Sequence, residues 1–157
     1  MISTRRNQEG RCARGRLASI LCTAVAAACG PATAPVVLAW EGDLNANGPG
    51  GVSGSVAVVS QYGRTEMSIL VEGAETGATY RWRVNQGGCG ASGAEGELVG
   101  GAATYPAITI QTGSSASANA NTGGMLDEDG AYSARVLHTT AASGETVVAC
   151  GELERVR

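Results

Sequence analysis

Apolar side chains recur at every second position over short runs of this chain, and clusters of Gly, Asn and Ser separate the runs. A period of two is that of a strand with one buried face, whereas a helix repeats every 3.6 residues. Between Thr65 and Glu72, Met67, Ile69 and Val71 fall on one side against Glu66, Ser68, Leu70 and Glu72. Between Thr79 and Gln86, Tyr80, Trp82 and Val84 fall inward while Arg81, Arg83 and Asn85 fall outward. Extended along the chain, the reading places eight strands at Val36 to Glu41, Val52 to Gln61, Thr65 to Glu72, Thr79 to Gln86, Ala107 to Gln111, Ser115 to Ala120, Tyr132 to His138 and Thr146 to Leu153. Short strands at this spacing make an all-β, antiparallel sandwich or barrel. The composition agrees, with 24 Gly, no Phe, no Lys and no convincing amphipathic helix. Asn45 to Gly51 and Asp127 to Gly130 read as turns, and Gly87 to Gly101 as a long irregular loop.

The first residues differ from the rest. Arg5, Arg6, Arg11, Arg14 and Arg16 precede an apolar stretch of about a dozen residues around Leu17, Ile20, Leu21 and Val25. A bilayer-spanning helix needs about 20 apolar residues, so a cleaved signal peptide at 1–28 fits better. Val25-Ala26-Ala27-Ala28-Cys29-Gly30 is similar to the lipobox of bacterial lipoproteins, in which the cysteine is lipidated and becomes the first residue. Ala32-Thr33-Ala34 offers an ordinary cleavage site as the alternative. The expectation is an extracytoplasmic protein of a bacterial cell envelope, held to the membrane through lipid on Cys29, or secreted if Cys29 carries none. Residues 29–50 then form a lead and first strand, and 51–157 the barrel domain.

Beyond residue 16 the chain retains six basic and thirteen acidic residues, about −7 in net charge. Such a surface repels phosphate backbones, which argues against nucleic acid. Of the five cysteines, Cys12 and Cys22 leave with the signal and Cys29 is lipidated or lost. Cys89 and Cys150 remain, and an oxidising compartment favours a disulfide between them over two free thiols.

The residues Tyr80-Arg81-Trp82-Arg83-Val84-Asn85-Gln86, Gly88-Cys89-Gly90, Gly130-Ala131-Tyr132, Val136-Leu137-His138 and Ala149-Cys150-Gly151 together resemble the copper/zinc superoxide dismutase family, over about Gly51 to Leu153. Gly130 to Glu152 is also similar to CHRD domains. The resemblance implies an eight-stranded Greek-key β-barrel or sandwich of the superoxide dismutase type, with a bond from a loop cysteine at Cys89 to Cys150 in an Ala-Cys-Gly motif. It does not carry over an active site. Arg83 and Asn85 stand where that family has its paired copper-binding histidines, Gly87 to Pro106 has neither His nor Asp, and His138 alone matches a copper ligand. A guanidinium has no lone pair for a metal. No cofactor is expected, copper around His138 being the alternative.

Other chemistry finds little support. Asp127, Glu128 and Asp129 read as a solvated turn before a calcium loop. Ser114, Ser115 and Ser117 lie in no nucleophile elbow, and Gly87-Gly88-Cys89-Gly90 lacks the Lys of a phosphate loop. Arg81, Arg83 and Asn85 remain as a possible face for an anion or a protein partner, with an internal salt bridge as the alternative. The expected function is a non-catalytic binding or structural module of the envelope, against a reduced metal-binding superoxide dismutase-like protein.

Overall fold

A computed structural model describes residues 36–48, 50–90, 96–140 and 144–156, all within one compact unit, Ala34–Arg157. The segment expected to be a signal peptide, the expected lipidation site Cys29 and the alternative cleavage site expected at Ala32 to Ala34 lie outside the described residues. The strands are β1 (Val37–Ala46), β2 (Ser53–Gln61), β3 (Arg64–Glu72), β4 (Thr79–Gln86), β5 (Ile108–Thr109), β6 (Ala116–Gly123), β7 (Tyr132–Thr140) and β8 (Gly144–Val156). Every ladder is antiparallel, in the order β5-β4-β7-β8-β1-β2-β3-β6. The two ends of that order, β5 and β6, are consecutive in the chain and touch, which nearly closes a barrel. β7 returns beside β4 after the β4-β5-β6 excursion, the connection of a Greek key.

All eight expected strands are present, with differences at their ends, among them a β6 that runs to Gly123. β5 shrinks to two residues, although Ile110 still donates its N–H to the Ala78 carbonyl at 3.0 Å. β1 and β8 run well beyond the expected limits, to Ala46 and Val156. They can because Trp40 and Leu44 continue the inward face of β1, and Gly42 and Gly151 let the two backbones approach where a Cβ would strike the other strand. The long loop holds one 3₁₀ turn, Ala102–Thr104.

The alternation read from the sequence describes the core. Met67, Ile69, Val71, Tyr80, Trp82 and Val84 are all buried, together with Trp40, Val58, Ile110 and Val136. The rings meet edge to face, Trp40 on Tyr132 at 5.6 Å and Trp82 on Tyr105 at 5.0 Å between centroids. The Trp82 Nε1–H donates to the Pro106 carbonyl at 2.9 Å, which satisfies the one polar atom the indole brings inside. Cys89 and Cys150 form the disulfide, with a Cα–Cα separation of 5.9 Å, and so tie the long loop to β8.

Tyr105 projects from that loop, and its hydroxyl donates to the Val99 carbonyl. Burial pushes its phenol up to about 12 from the ordinary 10.0. Because the folded state holds the neutral form more tightly than the unfolded chain does, the resulting stability is complete below pH 10 and is lost as pH rises through about 12. Urea midpoints measured across that interval should fall, and Tyr105→Phe should flatten the decline while lowering stability at neutral pH. Tyr132 is also raised by burial, so some slope should persist in the variant.

Candidate functional site

The face of β4 and β7 that points away from the core is where the resemblance would seat a copper ion. Arg83 and Asn85 of β4 pair directly with Arg135 and Ser133 of β7. The three residues expected to offer a face to an anion or a partner, Arg81, Arg83 and Asn85, differ in exposure. Asn85 is only 3% exposed, Arg83 is half-buried, and Arg81 alone lies in the open. The long loop folds over this face: Asn85 Nδ2 donates to the Gly96 carbonyl at 3.0 Å, Arg135 Nη2 to that of Gly88 at 3.3 Å, and Gln86 N to that of Glu97 at 2.9 Å. The disulfide holds the loop there. Period-two reasoning assigned these residues to the outward face correctly, but it could not say that a Gly-rich loop would cover it. Arg81 meets Glu145 at 3.5 Å, the internal salt bridge that stood as the alternative for this residue.

Beneath the loop, Asn85 Oδ1 and Ser133 Oγ are buried and have no hydrogen-bond partner among the described residues. A buried hydroxyl left unmade costs stability, whereas a methyl in its place does not. Ser133→Ala should therefore raise the unfolding free energy, by about 1 kcal/mol. Chemical denaturation of the two proteins side by side measures it.

His138 stands on the other face. It pairs with Tyr80 across β4 and β7, and the two rings lie 4.9 Å apart. The β4–β7 register is unbroken from Gln86 to Tyr80, so His138, two residues beyond the inward Val136, shares the inward side with Tyr80 while Arg83 and Arg135 point outward. The sole imidazole of the chain and the two positions aligned with the paired histidines thus occupy opposite sides of the sheet. With an amide engaged by Gly96, a guanidinium and an imidazole turned away, this donor set does not fit a copper ion. Among the described residues no three His, Cys, Asp or Glu side chains converge to hold a metal.

At Asp127 to Gly130 the backbone turns as expected. Asp129 N donates to Asp127 Oδ1 at 3.2 Å, Gly130 N to the Asp127 carbonyl at 3.1 Å, and Glu128 meets Arg155 at 2.6 Å. These contacts occupy the side chains as a turn does and gather no ligand sphere for calcium.

The open concavity lies elsewhere, on the outer wall of β8, β1, β2, β3 and β6, with a volume of about 1280 Å³. Small side chains make its floor, including Ser55, Ala57, Ser68 and Ser117. Glu41, Asp43, Glu152 and Glu154 stand along one side, with Glu41 and Glu154 directly opposite each other across β1 and β8. Like charges in that position oppose pairing of the strands, which they must tolerate for some other reason than stability. Glu41, Asp43 and Glu154 have no ion-pair partner among the described residues, and Glu152 Oε1 accepts from Cys89 N at 3.4 Å.

This acidic groove was missed in the sequence because the two strands that carry its carboxylates, β1 and β8, were cut short. The signal was there. Trp40, Gly42 and Leu44 continue one alternation and Glu41, Asp43 and Asn45 the other, and the same holds for Leu153 against Glu152 and Glu154. Comparison with protein-family models, curated proteins and solved structures finds no match.

Proposed function

We propose that the chain is an exported, lipid-anchored and non-catalytic relative of the copper/zinc superoxide dismutase barrel, acting as a binding module at a bacterial cell envelope. The observation that carries this reading is the exchange of faces. Where the resemblance would seat a metal, the disulfide-tied loop is bonded to Asn85 and Arg135, and an acidic groove opens instead on the outer wall. The Greek-key order and the Cys89–Cys150 bond support the kinship, since both were implied by the resemblance. Carboxylates along the groove favour a cationic partner over the small anionic one suggested by Arg81 and Arg83.

The rival reading is a metal-binding protein with a reduced copper site around His138. His138→Ala separates the two. In a binding module the substitution removes a ring packed on Tyr80, so it should lower thermal stability and leave uptake of copper from solution unchanged. Loss of a stoichiometric copper ion in the variant would favour the rival.

A further inference from the structure

One end of the barrel carries most of the large apolar side chains that the molecule leaves exposed. β1 begins there at Val37, opposite Gln61 at the end of β2, and Arg64 at the start of β3 lies opposite Gly123 at the end of β6. Val36, Val37, Tyr62 and Met125 are exposed at this end, and Val156 of β8 joins them beside Ala39. Exposed apolar residues gathered on one end, rather than scattered singly, mark a contact surface.

Two features show that this end is built rather than frayed. Tyr62, at the tip of the β2–β3 hairpin, is 71% exposed and has φ 52°, which makes it unique among the described non-glycine residues in adopting the left-handed conformation. The Tyr62-Gly63 turn, with Gly63 at φ 77°, is the kind that Asn-Gly fills with ease, so the aromatic is displayed there against backbone preference. Met125 is held out by a buried hydroxyl pair. Ser60 Oγ and Thr65 Oγ1 lie 3.0 Å apart, Thr65 donates to the Gly124 carbonyl at 3.0 Å, and Leu126 N donates to Ser60 at 3.0 Å. The residues on either side of Met125 are thus pinned while its side chain stays in solvent.

We infer that this end is the face the protein lays against a lipid bilayer, with Tyr62, Met125, Val36, Val37 and Val156 entering the headgroup and upper acyl region. The inference rests in part on the lipid-anchor reading. Six residues, Gly30 to Pro35, separate Cys29 from Val36. Even fully extended, that connection spans about 25 Å, so a lipid on Cys29 keeps the Val36 end near the membrane surface. An aromatic ring with a polar tip and flexible or β-branched apolar side chains suit that interface. Charge decides the lipid. Arg64 pairs with Glu66 and Arg155 with Glu128, while Asp127 and Asp129 nearby have no ion-pair partner among the described residues, so the surface is neutral to acidic and fits zwitterionic headgroups.

The test uses the full chain, expressed with its leader, purified and reconstituted in phosphatidylcholine vesicles, with an environment-sensitive dye on Met125→Cys or, at the opposite end, on Glu75→Cys. Nitroxide-labelled lipid should quench the dye at position 125 and leave the dye at 75 unaffected, and adding Tyr62→Ser should reduce the quenching at least twofold. Equal quenching at both positions, or none at either, overturns the inference. Mass spectrometry of the purified chain reports separately whether Cys29 is acylated. Should it carry no lipid, the same labelled protein is titrated with the vesicles: a blue shift at 125 keeps the membrane face and removes the anchor, and no shift removes both. A dimer in solution that Tyr62→Ser dissolves would assign this end to a second copy and also overturn the inference.

Discussion

Reduction of the Cys89–Cys150 bond, or replacement of both cysteines by alanine, should lower the unfolding free energy by about 4 kcal/mol. The bond joins residues separated by 61 positions, and closing so long a loop removes much of the freedom of the unfolded chain. A folded domain of this size has only about 5–15 kcal/mol in total, so the loss is severe. It should also have a local signature. The loop that the bond ties down supplies the Gly96 carbonyl to Asn85 and the Gly88 carbonyl to Arg135, and it contributes Cys89 N to Glu152. Amide exchange in 87–90 and 96–101 should accelerate before that of β1, β2 and β3. Urea unfolding with and without reductant measures the first effect and hydrogen exchange the second. A chain equally stable in both states would mean that the bond constrains little of the folding domain.

Trp82→Ala should cost a similar amount, about 4 kcal/mol, through a different cause. The indole is almost fully buried, meets Tyr105 edge to face and donates to the Pro106 carbonyl. Its removal leaves a cavity between β4 and the long loop and strands an acceptor inside it. The effect should extend to Tyr105, whose phenol would regain contact with water and titrate closer to its ordinary value. Trp82→Phe should recover part of the stability, because it refills the space without restoring the hydrogen bond. Denaturant titration of the three proteins separates packing from hydrogen bonding.

Most of the fold was legible because it follows from a strict two-residue period. The inward set of β3 and β4 was correct residue by residue, since burial on one face of a strand leaves little freedom of register. The strand ends were less legible. At Gly42 and Gly151 the pattern loses its side chains, and nothing in the composition tells a glycine that ends a strand from one that lets two strands draw together. At Gly42 that ambiguity hid Asp43, while β8 was carried through Gly151 but ended at Leu153, one residue short of Glu154. The cover over Arg83 and Asn85 was illegible for a second reason. Asn85 and Arg83 do point away from the core, yet a Gly-rich loop has no periodicity from which its path could be read, and the Cys89–Cys150 bond draws it over them. The inward face of His138 follows from the same two-residue period, since it stands two residues beyond Val136 and opposite Tyr80.

The apolar end was invisible for a related reason. Tyr62, Met125 and Val36 are far apart in sequence and acquire a common address only when the hairpin, the end of β6 and the start of β1 are placed side by side. Tyr62 does carry a local signal, an aromatic residue immediately before the Gly63 of a two-residue turn, where a small polar residue would be easier to accommodate.

A barrel that binds rather than catalyses, as proposed, should have no metal-dependent activity. The most direct measurement is a copper titration of the oxidised protein, after exposure to zinc, with superoxide dismutation followed on the same samples. The expected result is no stoichiometric copper and no dismutation above that of free metal. One tightly held copper per chain with dismutase activity would contradict it, and would place functional ligands around His138.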